Sequence, residues 1–324
     1  MSNLIPPLPK PATGSANPAA SLSSLWAYIT PALDHIVKSP SNDSQKAPAI
    51  DVGFYTGIHS ACYNYITSQT ETIHASHKDS DDGGITSGTD LYEQLDRYFA
   101  EAARELLLGA PDDDSDLVHY IIPCFNRYSA GAKSVNRLLN YVNRHYVKRA
   151  VDDDKGWLSI ADVLEHVAKT AQPNDTREQL AKKLREKRTD ELKKWGYVDG
   201  GSAELMAEAE ACAEAASGPD RIIHISSLAH RRFRTEFLDP LLAVPKMKGK
   251  HKVKKKIPKA NGAGPPPNQP KGRLARSVKE LLESKGGDEE KKMEDAKQLA
   301  NMLRRVGVRP DHLLRKRLDK FCDS

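Results

Sequence analysis

The stretch "NRLLNYVNRHYVKRAVDDDKGW", residues 136–157, crowds Tyr141, Asn143, Arg144, His145, Tyr146, Lys148 and Arg149 together and then runs into Asp152, Asp153 and Asp154. Three chemistries can be written with those residues: a grip on nucleic acid, a metal or catalytic site, and a helix that docks on another protein. Lys148 and Arg149 oppose the negative end of a helix dipole, each for ~0.3–1 kcal/mol, so the basic end needs no phosphate to explain it. The triple aspartate beside it repels phosphate. His145 has no nucleophile or acid at a readable spacing and suits a structural or interfacial role.

Other groups give less. His74 and His77 sit near Asp79, Asp81 and Asp82, and Asp79, Asp81, Gly84 and Asp90 echo parts of a calcium loop. The echo fails at Gly83, where an acid or amide is needed, and at Asp90, where a glutamate closes the site; the segment reads as a solvated loop. Lys246, Lys248, Lys250, Lys252, Lys254, Lys255, Lys256 and Lys259 form a basic run without interleaved aromatics. It offers charge for phosphate, or an import signal, but no platform for stacking bases; a solvated linker is written the same way. Cys62, Cys124, Cys212 and Cys322 form no CxxC pair, which argues against zinc and against a disulfide framework and fits a reducing cytoplasmic or nuclear compartment. There is no phosphate loop, GxSxG or HExxH. No catalytic residue, metal ligand or cofactor is expected, and the chain reads as a non-enzyme.

The elements that must position these residues are helices. Leu25, Ile29, Leu33 and Ile36 recur at helical spacing after Ser24, with Pro31 as a kink. Phe54, Ile58, Ala61, Cys62, Tyr65 and Ile66 mark a second helix. Leu91, Leu95, Tyr98, Phe99, Ala102 and Leu106 mark a third, with Asp90 and Glu93 imitating a capping box. The longest periodic segment, 117–149, carries Leu117, Tyr120, Ile121, Cys124, Phe125, Tyr128, Val135, Leu138, Leu139, Val142 and Tyr146, with Pro123 expected to kink or delay it. Residues 160–197 are helical but charge-laden, 203–216 are helix-prone by propensity, and 273–284, roughly 289–306 and 310–321 close the chain. No strand pattern occurs, so the expected class is all-α.

The 324 residues carry a net charge of +5, with 39% hydrophobic and 29% charged residues. Part of the chain can bury a core and part cannot. The reading divides it into a Pro/Ala/Ser leader at 1–21, expected to be disordered, a helical bundle at 22–157, a helical insertion and return at 158–244, a basic Pro/Gly linker at 245–272, and further helices at 273–324. No apolar run approaches the ~20 residues of a membrane span.

"LVHYIIPCFNRYSAGAKSVNRLLNYVNRHYVKR" resembles the long helix of the first repeat in cullins. The family pattern has an aromatic, three residues on a tyrosine, and an end of the form "YLNRHWV" plus a basic residue. Phe125, Tyr128 and Tyr141–Lys148 reproduce that spacing, with Tyr146 in place of tryptophan. "FYTGIHSACYNYITSQ", "LYEQLDRYFAEAARELL" and "SLAHRRFRTEFLDPLL" are similar to further helices of the repeat, and the tail resembles the opening of the next repeat. The resemblance covers 50–150 and, by shorter matches, 222–321; residues 158–222 and 245–272 look like insertions.

The resemblance implies a cullin-repeat bundle acting as a scaffold of SCF-type ubiquitin ligases. Its second and fifth helices would hold a Skp-type adaptor carrying an F-box protein. Carried onto this sequence, that face comprises Tyr55, Thr56, Ile58, His59, Tyr120, Ile121, Phe125 and Tyr128. Extra residues around "HSACYNY" leave a second register open, through Tyr63, Asn64 and Tyr65. The family's C-terminal region does not appear, so no RING subunit is expected to bind, and the chain would compete with a full-length scaffold for adaptor. Aromatics on these helices suit an interface centre; they suit the core of a bundle equally. The rival class is a basic nucleic-acid-associated helical protein acting through 246–259.

Overall fold

The computed structural model describes residues 17–39, 46–76, 87–172, 174–244, 272–284 and 288–323. Most of the leader, the calcium-like stretch from His77 onward and the basic run lie outside the described residues, so no structural reading is attached to them. Every regular element among the described residues is a helix, as the periodicity predicts.

Four long helices build the first half: α1 (Leu22–Val37), α2 (Val52–Ser76), α3 (Thr89–Leu108) and α4 (Leu117–Leu138). Ser21 caps α1 by accepting from the Ser24 amide, and the Asp51 carboxylate caps α2 by accepting from Gly53 (2.8 Å) and Phe54 (3.2 Å). Neither Pro31 nor Pro123 ends its helix. An interior proline costs ~3 kcal/mol, but α4 buries Leu117, Ile121 and Phe125 on the same side, at ~1.5–3 kcal/mol each. The capping box expected at Asp90 does not form: Gly88 is the cap of α3. The Asp90 carboxylate instead accepts from the Tyr65 hydroxyl and from Gln69 (2.9 Å), fastening α2 to α3.

The single helix expected over 117–149 is two. It breaks at Leu139, whose backbone turns (φ −101°, ψ 25°) while its side chain stays buried. The chain resumes as α5 (residues 140–152), which contains a π turn at Asn143–Val147. The insertion folds as α6 (Ile160–Thr170), α7 (Arg177–Lys193) and α8 (Ala203–Ala216). Leu192, Trp195, Tyr197, Ala209, Cys212 and Ala213 give it a small core of its own. Trp157 packs against both this core and the main one, so the expected boundary at 157/158 carries a shared side chain.

Helix α9 (residues 225–242, with a π turn at Phe233–Leu238) packs against α3, α4 and α8. Phe125, Tyr128, Phe233 and Phe237 meet here, with Phe233 and Phe237 stacked 4.6 Å apart. Helices α10 (Arg273–Glu283), α11 (Glu289–Arg305) and α12 (Leu313–Cys322) follow. Leu274, Val278, Leu299, Met302, Leu303 and Leu318 extend the same main core rather than starting another. A Cβ on Gly272 would lie 2.3 Å from the Leu242 carbonyl oxygen, so the chain on either side of the basic run meets at one place. Gly307 ends α11 with φ +82°. The bonds Val308 N–H to Leu303 C=O (2.9 Å) and Gly307 N–H to Arg304 C=O (3.0 Å) make a Schellman end.

The N-terminus of α9 has no side-chain cap of its own. Asn143 Oδ1 accepts from the Ile225 amide (3.1 Å), Asn136 Oδ1 accepts from the Ser226 amide (3.2 Å), and Asn143 Nδ2 donates to Asn136 Oδ1 (2.9 Å). Asn143 is buried, so its loss strands donors away from water. Asn143→Ala is expected to lower unfolding free energy by about 1–3 kcal/mol in urea titrations, with helix content by circular dichroism unchanged in the folded state.

Candidate protein-docking site

The eight residues carried over from the resemblance do not form one face. Ile58, Ile121, Phe125 and Tyr128 are core side chains, none more than 2% exposed. The Tyr128 hydroxyl sits 3.2 and 3.1 Å from the carbonyls of Phe99 and Ala229, and Phe125 packs on Phe233 at 5.3 Å. These four cannot touch a partner in this fold. For Phe125 and Tyr128 the reason is α9, which packs on α4 and takes up the aromatic stripe; Ile58 is buried where α2 packs on α1 and α4. Tyr120 is half-buried, donates to the Leu106 carbonyl (2.6 Å) and stacks near Phe237. It lies seventeen residues from Arg137 along α4, or ~25 Å at 1.5 Å per residue.

Tyr55, Thr56 and His59 are exposed on α2. The Tyr55 hydroxyl donates to the Arg137 carbonyl at 3.2 Å, which places this part of α2 at the far end of α4 from Tyr120. Three further aromatic side chains join them there. Tyr63, 47% exposed, sits edge-on to Tyr141 at 5.2 Å, and His59 does so at 6.1 Å. His145 stacks on Tyr141 at 3.9 Å. Val52 continues the α2 stripe at 76% exposure. Tyr55, His59 and Tyr63 recur every four residues, the spacing that keeps side chains on one side of a helix. Both registers left open in the sequence therefore contribute, through Tyr55 from one and Tyr63 from the other, while Tyr65 points inward to Asp90. Tyr141 is partly buried and stands at the centre of the cluster.

The π turn in α5 sorts its residues. Asn143, Tyr146 and Val147 are buried, while Arg144, His145, Lys148 and Arg149 face outward. Partial desolvation and the charges of Arg149 and Arg144 push the His145 pKa below its usual value, which keeps the ring neutral on Tyr141. The aspartates that follow serve structure: Asp152 pairs with Lys148 at 2.9 Å, and Asp154 Oδ1 accepts from the Ile160 amide at 2.5 Å, capping α6.

Nothing in the described residues is arranged for chemistry. No group of three His, Cys, Asp or Glu could hold a metal among them. Burial pushes the thiol pKa of Cys62 up to about 12 and of Cys212 up to about 11, so both stay protonated and unreactive. Ser129 and His230 have the spacing of an activated nucleophile, 3.0 Å between Oγ and Nε2, but both are buried. Arg305 donates to Ser129 Oγ at 2.7 Å, which leaves the hydroxyl proton for His230. A cleft of about 210 Å³ between α1, α3 and α4 is lined by Lys38, Glu105, Cys124 and Arg127; Lys38 and Glu105 satisfy each other at 2.8 Å. No helix among the described residues is long and apolar enough to cross a membrane.

Comparison with known proteins gives two distant relatives. The chain is 23% identical over 141 residues to cell division control protein 53 of Saccharomyces cerevisiae, covering 41% of this chain and 17% of that protein. It is 24% identical over 138 residues to cullin-1 of Dictyostelium discoideum, covering 42% and 18%. The matches thus span less than a fifth of each relative's length. No protein-family model matches the chain, and no solved structure does. The comparisons show a distant, partial similarity to cullin-type proteins.

Two consequences can be measured. Phe125→Ala should cost about 3–5 kcal/mol of stability by leaving a cavity in the core, whereas Tyr55→Ala should cost under about 1 kcal/mol; urea denaturation of the two variants compares them directly. His230 is held neutral by burial and by the charges of Arg305 and Lys133, with its pKa well below 6.5. Its contribution is constant above the unfolded-state value and is lost as pH falls below it, by at most ~1.4 kcal/mol per pH unit. His224, raised by its hydrogen bond to Glu214, works in the opposite sense: its contribution is present below pH 6.5 and is lost at higher pH. His230→Gln should therefore flatten the fall in urea midpoint between pH 7 and pH 5 relative to the parent.

Proposed function

We propose that the chain is a non-catalytic, cullin-like scaffold in a ubiquitin-ligase context, and that it binds a Skp-type adaptor carrying an F-box protein. The observation that carries this reading is the cluster of Tyr55, His59, Tyr63, Tyr141 and His145, built by α2 and α5 at one end of the bundle. Aromatic side chains held against one another at a surface are what interface hot spots are made of. The distant relatives support the reading at family level, one of them being named a cullin. The docking face differs from the one that the resemblance implied. It keeps Tyr55, Thr56 and His59, adds Tyr63, Tyr141 and His145, and leaves Ile58, Tyr120, Ile121, Phe125 and Tyr128 to the fold.

Isothermal titration of the full chain with a purified Skp-type adaptor and F-box pair should give a dissociation constant in the micromolar range or tighter. Tyr55→Ala with Tyr63→Ala should weaken it at least about tenfold without changing the thermal midpoint by more than a few degrees. Absence of binding at tens of micromolar protein would overturn the assignment.

A further inference from the structure

The aromatic cluster has a cationic border. Arg144 and Arg149 are exposed on α5, and both lie close enough to His145 to depress its pKa. Arg137 is exposed at the end of α4, where its carbonyl receives the Tyr55 hydroxyl. No described carboxylate forms an ion pair with any of the three, whereas Lys148 beside them has Asp152 at 2.9 Å. The end of the molecule that displays the rings thus also displays three arginines with no described carboxylate in ion-pair contact.

Resting on the docking reading above, we propose that the partner face bears carboxylates, which meet Arg137, Arg144 and Arg149 around an apolar centre seated on Tyr55, Tyr63 and Tyr141. Arginine suits this task because its planar guanidinium takes a carboxylate through two parallel hydrogen bonds. Charges at the border of an interface act chiefly on the rate of encounter and fix the orientation of approach. A polyphosphate partner fits less well. Tyr63 and His59 stand steeply inclined against Tyr141, and His145 stacks on it, so that central ring is already engaged and is not a free platform for a base.

The test measures association of the full chain with the Skp-type adaptor and F-box pair by stopped flow or surface plasmon resonance at 50 and 300 mM NaCl. The parent should associate about tenfold more slowly at the higher salt. Arg144→Glu with Arg149→Glu should lower the association rate about tenfold at 50 mM and remove most of the salt dependence; Arg144→Lys with Arg149→Lys should restore most of it. Circular dichroism melts check that the variants fold. Binding that is insensitive to salt and to charge reversal, yet lost in Tyr55→Ala with Tyr63→Ala, leaves the docking face standing and overturns the acidic partner. Absence of adaptor binding at either salt overturns both. Retention of a single-stranded oligothymidylate through the same arginines, tighter than retention of the adaptor, overturns the acidic-protein assignment in favour of nucleic acid.

Discussion

The placement of α9 against α4 is the constraint on which the rest of the molecule depends. Two asparagines on either side of the Leu139 break supply the caps that α9 lacks, Asn136 from α4 and Asn143 from the π turn of α5. A helix start leaves four amide donors without intrahelical partners. Here two of them are met by neighbouring helices, so capping α9 and docking it are the same event. Once α9 is seated, Phe233 reaches Phe125 and Tyr128 and stacks on Phe237, and Tyr92 exchanges hydrogen bonds with the Ile223 backbone just before α9. The break at Leu139 follows the same logic. An uninterrupted helix would carry Asn143 onward along the α4 axis, away from the backbone that it serves.

Buried arginines then attach the outlying parts to this post. Arg231, from α9, donates to the Arg221 carbonyl and to Ser217 at the end of α8. Arg234, also from α9, donates to the Gly307 carbonyl at the end of α11, and Arg315 donates to the Val308 carbonyl while lying over the Trp195 ring. Each reaches the carboxyl end of a helix, where carbonyls lack partners and the dipole is negative. Burial lowers the pKa of all three, yet an arginine remains charged through such a shift. Residues 158–222 are therefore fastened to the main core by specific bonds as well as by Trp157, and the last three helices by the same device. Gly307 is needed twice at this junction, for its positive φ and because a Cβ would meet the Ala216 amide nitrogen at 2.3 Å.

How much of this was legible in the sequence follows from what periodicity encodes. A 3.6-residue stripe reports that a helix has an apolar side, and it placed α1 to α4, α9 and the closing helices near their observed positions. It does not report what covers that side. Phe125 and Tyr128 lie on the longest stripe in the chain, and the same observation was compatible with docking and with core. The covering helix begins nearly a hundred residues later, at Ile225, so nothing local could decide between them. The docking cluster was readable only as the four-residue recurrence Tyr55, His59, Tyr63, which the two-register reading divided. Tyr141 and His145 share that spacing on α5, and only the turn at Leu139 brings them round to α2. The capping box at Asp90 failed for a similar reason, since its carboxylate found a tertiary partner in Tyr65 that a local motif cannot anticipate.

The ordering of the cluster bears on how much affinity the proposed docking face could deliver. Tyrosine rings free on a surface lose rotamer entropy when a partner fixes them, at about 0.5–1.5 kcal/mol per side chain. Here Tyr55 is tied by its hydroxyl to the end of α4, Tyr141 is held between Tyr63 and His145, and partial desolvation together with the arginines beside it disfavours the charged form of His145. Much of that ordering is complete before a partner arrives. Docking would act on His145 in two opposed ways: covering the ring deepens the desolvation that is the larger cause of its lowered pKa, while a carboxylate brought to Arg144 and Arg149 screens their charges.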